Sequence, residues 1–337
     1  MRFRTCPGFI LLIILFSLSS CHFSKPDVDK ELAGLQKTGD IIQNDFQNII
    51  KETKNLVYFT ESLYRFHYNY YPGKDTLKYE LKPNGIFYNP TDDGGSAVFV
   101  SGHYPVTKNL KDIVYFTAPL DSFFIKDIKK NNPLITQAHF NERHSYLRIY
   151  PYIDVLNQFD PKQNIIAYNL YFLADNEHNP SKKAVMIDHP YVDPAGRGWI
   201  ISSIAPVYNK HILEGVVGID ITIESMKKKY MSATSSDIML LDSSGVVIMI
   251  DEQKAGIFEM PHIKSHKYLE SIKSNEYIGD EYNLLSSKNK TIRDAFTELM
   301  RDKKTSTEVT IEDNKYFLIS YMIPGLNWYI VKFIKEN

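Results

Sequence analysis

The stretch from residue 185 to residue 222 constrains the fold more than any other part of the chain. It contains three largely apolar runs, separated by a Gly-rich turn at 194–198 and a second turn at 209–213. Turns this short join antiparallel strands, because a parallel connection needs a dozen residues or more. Since successive side chains on a strand point to opposite faces, the last strand places Val217, Ile219 and Ile221 on one face and Gly218, Asp220 and Thr222 on the other.

Polar side chains in this stretch predict a ligand pocket. Tyr191 and Asp193 are two residues apart and therefore share a face on a strand, while Asp220 lies in an otherwise apolar strand. A buried carboxylate is costly without a partner, and Gly218 leaves room beside it. For each aspartate, an alternative to ligand binding stays open. The alternative for Asp220 is a structural acid that caps a neighbouring turn. The alternative for Asp193 is a residue that only opens a turn before Pro194.

Three motifs in the same stretch resemble the membrane-distal half of double Cache domains, which are extracellular sensor modules of bacterial receptors. They are the Pro-Tyr-Val-Asp run at 190–193, the Ser-x-x-x-Pro-Val run at 202–207 and Gly-Val-Val-Gly-Ile-Asp at 215–220. A weaker resemblance extends from about residue 30 to the C-terminus. The resemblance implies an α+β fold with a long N-terminal helix and two PAS-like antiparallel-sheet lobes.

The amino-acid-binding branch of that family implies roles for single residues. By resemblance, Tyr191, Asp193 and Asp220 hold the ammonium group of the ligand. The branch also uses an Arg-x-Trp-Tyr element for the ligand carboxylate, and neither register of this sequence reproduces it. One register keeps the arginine as Arg148, followed by Tyr150, and the other keeps a tyrosine as Tyr171. For Arg148, a bidentate contact to a ligand carboxylate and a surface salt bridge are both open.

The first residues have the pattern of a secretion signal. Arg2 and Arg4 precede an apolar run at 9–16 that is shorter than the 20 or so residues needed to span a bilayer. Leu-Ser-Ser-Cys at 18–21 resembles the lipobox of bacterial lipoproteins, which makes residues 1–20 a signal peptide and Cys21 the lipidated residue. The alternative is a plain secretory peptide with an incidental cysteine. From the lipobox we expect a lipid-anchored protein of the bacterial cell envelope that faces the periplasm or the exterior.

The rest of the chain divides into a tether and two lobes. Residues 21–57 form the tether and the start of a helix that continues to about residue 70, with apolar residues at three- and four-residue steps. This apolar seam packs on the protein's own sheets or, alternatively, forms a homodimeric coiled coil. Residues 58–231 form the membrane-distal lobe with the pocket. Residues 232–337 form the proximal lobe, with a hairpin at 237–250, helices at 262–274 and 292–301, and three final strands.

Composition and motifs exclude several functions. The 337-residue chain has 39 basic and 40 acidic residues, so no strong field attracts nucleic acid. No phosphate loop, zinc-protease helix or serine-hydrolase elbow occurs, and we expect no enzyme activity, no cofactor and no metal.

The sequence predicts a lipid-anchored sensor or solute-binding protein that binds a small polar ligand, such as an amino acid or amine. Because the chain ends just after its last predicted strand, it is expected to signal through a membrane-embedded partner. The alternative is an envelope lipoprotein with a vestigial pocket that acts by protein–protein contacts.

Overall fold

The computed structural model describes residues 26–69, 78–129, 133–231, 237–261 and 280–336. The signal peptide, Cys21 and the predicted helix at 262–274 lie outside these residues. The domain limits at 20, 57 and 231 also stay predictions. Within the described part of the chain, no helix is both long enough and apolar enough to cross a membrane.

Thirteen strands are found among the described residues, and they form two antiparallel sheets. The larger sheet has the order β1-β2-β3-β5-β4-β8-β7-β6, and the smaller has the order β10-β9-β13-β12-β11. Strands β1 to β5 are Glu80–Leu81, Phe87–Tyr88, Ala97–Val100, Ile135–Glu142 and Tyr146–Tyr150. Strands β6 to β8 are Val185–Val192, Trp199–Asn209 and Ile212–Thr222. Strands β9 to β13 are Ile238–Leu241, Val247–Met249, Ser306–Ile311, Asn314–Ile323 and Trp328–Lys335.

Eight α-helices accompany these sheets in the described residues. They are α1 Val28–Arg65, α2 Lys108–Phe116, α3 Leu120–Phe123, α4 Val155–Gln158, α5 Asn169–Phe172, α6 Ile223–Tyr230, α7 Glu252–Ala255 and α8 Lys290–Met300. The predicted α+β class, with one long helix and two antiparallel sheets, is confirmed. Helix α1 ends at Arg65 rather than near residue 70, because its buried seam ends at Leu63 and Tyr64.

Helix α1 packs on both sheets of its own chain. It is 38 residues long, or about 57 Å at 1.5 Å per residue, and contacts β7 and β8 of the larger sheet and β12 and β13 of the smaller. The small residues of its seam are buried at these contacts. Gly39 lies against the ring of Tyr321, and Thr53 Oγ1 donates a hydrogen bond of 2.8 Å to Ser203 Oγ. The apolar seam is therefore used within the chain.

Polar contacts join the two lobes near the edge of the larger sheet. His189 on β6 places Nε2 2.6 Å from Oδ2 of Asp242, which directly follows β9. Next to it, Trp328 Nε1 of β13 donates a hydrogen bond of 3.0 Å to Asp188 Oδ2. Asp242 is in turn held by the backbone N–H groups of Ser244 and Val246. These contacts connect a strand of the larger sheet to two elements of the smaller lobe.

Candidate ligand-binding site

The candidate site lies on the face of the larger sheet that is turned away from helix α1. Alternation along β4 and β8 gives this face its polar groups, because Gln137, His139, Gly218 and Asp220 share it, while the α1 face carries apolar residues such as Phe140. Here the sheet borders a cavity of about 30 Å³. Its lining residues are Gln137, His139, Asn141, Leu147, Ile149, Phe159, Gln163, Ile165, Tyr168, Leu170, Asp193, Pro194, Ala195, Ile200 and Asp220.

Asp220 is the most enclosed of the polar residues that line the cavity, with only 1% of its surface exposed. Ser202 Oγ donates a hydrogen bond to Oδ1, and Gln137 Nε2 donates one of 2.6 Å to Oδ2. His139 Nε2 lies 3.4 Å from Oδ1. Burial alone would raise the pKa of Asp220, but the His139 ring and the two hydrogen bonds outweigh it and lower the pKa below its ordinary value. Asp220 therefore has partners within the protein.

His139 occupies the space that Gly218 leaves. A Cβ atom at position 218 would lie 2.3 Å from Cε1 and from Nε2 of the His139 ring. Asn141 Nδ2 donates a hydrogen bond of 2.7 Å to His139 Nδ1, so the neutral ring carries its proton on Nε2, on the side of Asp220. The glycine was expected to leave a cavity beside the acid, and the imidazole fills that position.

Tyr191 and Asp193 lie at the same end of the site. The Tyr191 hydroxyl is 2.6 Å from Ser202 Oγ and so reaches Asp220 through the serine. Asp193 accepts hydrogen bonds from the backbone N–H groups of Ala195 at 2.8 Å and Arg197 at 3.2 Å. Burial, followed by the negative charge of Asp220, raises the pKa of Asp193 to about 6. The structure thus brings together the three acid and phenol residues that the sequence singled out.

The structure does not bring Arg148 and Tyr150 to this cavity, which revises their sequence-based assignment. On β5 the side chains of Leu147 and Ile149 line the cavity, so the alternating residues point to the α1 side of the sheet. Arg148 is fully buried there and donates hydrogen bonds of 2.8 Å to Asp121 Oδ1 and to the Val114 carbonyl. It forms a buried ion pair, neither the ligand contact nor the surface salt bridge considered above.

Tyr171 is also displaced from its expected position. It is buried in the apolar cluster on the cavity side of the sheet, but Tyr168 and Leu170 are the residues of that segment that line the cavity. Burial and the nearby Glu142 carboxylate raise the pKa of the Tyr171 phenol. Glu142 is the last residue of β4, and Asp220 lies beside the other end of that strand. Tyr171 is therefore near the end of β4 that is far from Asp220.

Several polar residues of the site were missed by the sequence analysis. Gln137, His139 and Asn141 occur at every second position of β4, and this alternation was a usable signal. Arg197 donates hydrogen bonds of 2.6 Å to Gln137 Oε1 and 3.2 Å to the Pro151 carbonyl. It follows a turn glycine with a positive φ, Gly196, and nothing in its local sequence indicated that it would fold back toward β4.

Solved structures share this architecture, although no protein-family model and no curated protein sequence matches the chain. The ligand-binding domain of the Pseudomonas fluorescens chemoreceptor CtaA with L-alanine has a TM-score of 0.50 and 13% identity, covering 92% of this chain and 98% of that one. The ligand-binding domain of the Pseudomonas aeruginosa PAO1 amino acid chemoreceptor PctB with L-Gln has a TM-score of 0.49 and 13% identity, covering 90% of each chain. Both neighbours are ligand-binding domains of chemoreceptors. The chain has the double Cache fold, as the sequence predicted.

Proposed function

We propose that the protein is a non-catalytic extracytoplasmic sensor or solute-binding protein. In this proposal a small polar ligand binds in the membrane-distal lobe, which is the lobe of the larger sheet. The observation that carries the proposal is the pair of buried carboxylates, Asp193 and Asp220, on one cavity. Of the two, Asp193 has a raised pKa caused by burial and by the charge of Asp220, and a carboxyl group perturbed in this way beside a cavity is a candidate functional group.

The proposed ligand class is a primary amine or an amino acid, as in the solved neighbours that contain L-alanine and L-Gln. Asp220 already accepts side-chain hydrogen bonds from Ser202 and Gln137, so Asp193 is the carboxylate that gains most from a ligand ammonium group. Tyr191 acts on Asp220 through Ser202 rather than on the ligand directly. Arg197 lies on the cavity side of the sheet through its contact with Gln137, and it takes the carboxylate-binding role first given to Arg148.

A second candidate function is favoured by the size of the cavity. At about 30 Å³ it is roughly tenfold smaller than the 300 Å³ or more of a typical ligand pocket. An amino acid therefore enters only if side chains such as His139 move. If they do not, the pocket is vestigial and the protein is an envelope protein that works by protein–protein contacts.

A thermal-shift screen of residues 22–337 tests the binding proposal. The panel contains amino acids, amines, carboxylates and nucleobases, because a ligand that binds only the folded state raises the melting temperature. For an amine or amino acid, Asp193→Asn and Asp220→Asn should weaken binding by about 30-fold or more, since each removes one partner of a buried charge pair. The matched control is Asp294→Asn on helix α8, which removes an exposed carboxylate. A panel without any stabilising compound would favour the second candidate.

The membrane anchor is proposed from Cys21 and its lipobox. In this proposal the lipid holds the protein at the envelope, facing the periplasm or the exterior, and a membrane-embedded partner reads the ligand-bound form. Cys21→Ser should release the protein from the membrane fraction or leave an unprocessed precursor. Cys6→Ser is the control, because residue 6 lies in the proposed signal peptide. Unchanged processing and detergent partitioning of Cys21→Ser would rule out the anchor.

A further inference from the structure

A second, much larger cavity lies at the far end of helix α1, on the opposite face of the larger sheet from Asp220. Its volume is about 530 Å³, which is within the range of small-molecule sites. We call it the tip cavity and define it by Tyr64, His67, Phe116, Arg143 and Glu214, which line it. None of these residues belongs to the candidate site described above.

One wall of the tip cavity is aromatic, and the rest of its lining is largely polar, with Lys108, Asn109, Asp112, Arg143, Asn209 and Glu214. The ring of Tyr64 packs edge-on against Phe116, with centroids 5.0 Å apart, and the ring of His67 lies 5.7 Å from Phe116. Flat apolar ligands stack on or meet the edges of such rings with a gain beyond simple burial. The shape of the aromatic wall thus favours a flat, unsaturated ligand body.

Two hydrogen-bond donors of the tip cavity make no hydrogen bond among the described residues. The Tyr64 hydroxyl is buried, its residue being 6% exposed, and makes no hydrogen bond. Arg143 Nε lies 3.2 Å from Glu214 Oε2 but lacks hydrogen-bond geometry to it. An unsatisfied buried donor is costly. An acceptor oxygen on a ligand would satisfy both groups.

The charges around the cavity decide between ligand classes. Glu142 is fully buried and Glu214 is 6% exposed, and the Arg143 guanidinium lies between them, 3.8 Å from Glu142 Oε1. Lys108 and Asp112, which also line the cavity, form an ion pair with each other at 2.8 Å. A carboxylate ligand would meet Glu214, and an ammonium ligand would meet Arg143. An amide-type group avoids both problems, because its carbonyl accepts from Tyr64 and Arg143 while its N–H donates to Glu214.

We propose that the tip cavity is a second small-molecule site, and that it takes an uncharged aromatic or heteroaromatic compound with an amide-type group. Three probes of nearly equal shape test the class, namely benzamide, benzoate and benzylamine. Ligand-observed NMR titration measures the binding of each probe to residues 22–337, which include every described residue. Benzamide should bind with a dissociation constant in the millimolar range or below, and at least tenfold more tightly than either charged probe.

Tyr64→Phe locates the site, because it removes only the unsatisfied hydroxyl. It should weaken benzamide binding about three- to tenfold, the equivalent of one hydrogen bond, and leave the melting temperature equal or higher. Tyr58→Phe on the exposed side of the same helix is the matched control and should change neither. Glu214→Gln provides a second variant and should increase benzoate binding.

Four results would overturn the proposal. The first three are no benzamide binding up to about 10 mM, equal benzamide affinity in Tyr64→Phe and wild type, and tighter binding of a charged probe. Loss of benzamide binding in Asp220→Asn with full binding in Tyr64→Phe would assign the compound to the other cavity. That last result would leave the proposed function standing and reject the tip site alone.

Discussion

At the scale of single residues, two aspartates that face the same cavity respond to it in opposite ways. Asp193 has its pKa raised to about 6 by burial and by the charge of Asp220. The pKa of Asp220 is lowered, although it is the more enclosed of the two, because His139, Ser202 and Gln137 compensate its charge. The neighbours of each carboxyl group, rather than its depth, decide which aspartate holds a proton near pH 6.

The raised pKa of Asp193 predicts a loss of stability with rising pH. Between the ordinary value of 3.8 and about 6, the folded state holds the proton more tightly than the unfolded state, so stability falls as the pH rises through this window. Two units of pKa correspond to up to about 3 kcal/mol. In urea unfolding, the free energy of unfolding of Asp193→Asn should differ less between pH 4 and pH 7 than that of the wild type. The same difference in wild type and variant would contradict the assignment, and Asp294→Asn is the control.

Arg148 is predicted to matter for stability and not for ligand binding. Arg148→Met leaves Asp121 without its nearest cation, and breaking a buried ion pair costs about 3–5 kcal/mol. Chemical denaturation should show this loss. Arg197→Met, on the cavity side of the sheet, is the matched comparison and should weaken ligand binding with a smaller effect on the free energy of unfolding. The opposite ranking of the two variants would restore the sequence-based role of Arg148.

The contact between Gly218 and His139 predicts a coupled pair of substitutions. Gly218→Ala forces the imidazole away from Asp220, and overpacking of this kind costs about 1–3 kcal/mol. The cost should be smaller in the His139→Ala background, where the ring is missing, and a double-mutant cycle measures the difference. Gly34→Ala is the control, because a Cβ atom there meets nothing within 4 Å. Additive effects of the two substitutions would argue against the contact.

At the scale of the elements, periodicity predicted the long helix and the final strands, and the family resemblance predicted the arrangement of two antiparallel sheets. Helix α1 ends a few residues before its predicted limit, and the final meander has the three predicted strands, since each shows a repeating apolar pattern over several turns or strands. Gly39 and Thr53 interrupt the apolar pattern of that helix. Their small size is explained by close contacts with Tyr321 and Ser203. Those partners lie 150 or more positions away and leave no local signal.

The face of strand β5 was the element-level feature that the sequence could not supply. Tyr146, Arg148 and Tyr150 alternate with Leu147 and Ile149, so both faces of the strand carry apolar surface. Burial on both sides removes the usual contrast between an inner and an outer face. Strand β4 did carry a signal, because its polar residues at every second position all face the cavity. The motif resemblance found Tyr191, Asp193 and Asp220, and pattern alone could have added Gln137 and His139.

At the scale of the whole molecule, His189 and Asp242 connect the lobes by a contact that depends on protonation. The hydrogen bond to Asp242 raises the pKa of His189 above its ordinary value, and Asp188 adds to the effect. The stabilisation is therefore complete below pH 6.5 and is lost as the pH rises through the folded-state pKa. The melting temperature of wild type should fall more between pH 6 and pH 8 than that of His189→Gln.

The exposed pair of His178 and Asp175, 2.8 Å apart within the larger lobe, is the control for this prediction. His178→Gln removes a similar His–Asp contact that solvent screens, so its melting temperature should follow the wild-type pH dependence closely. If His189→Gln also keeps that dependence, the contact between the lobes does not contribute to stability.

One consequence of helix α1 extends over both lobes. Its buried seam lies against the smaller sheet near Gly39 and against the larger sheet near Thr53, so neither sheet can separate from it without exposing part of the same helix. Backbone amides in the middle of α1 are then protected from hydrogen exchange by both sheets at once, and they exchange only when the molecule opens as a whole. We therefore expect the two lobes to open as one cooperative unit, so that a compound that tightens the lobe of the larger sheet should also slow exchange in the lobe of the smaller sheet.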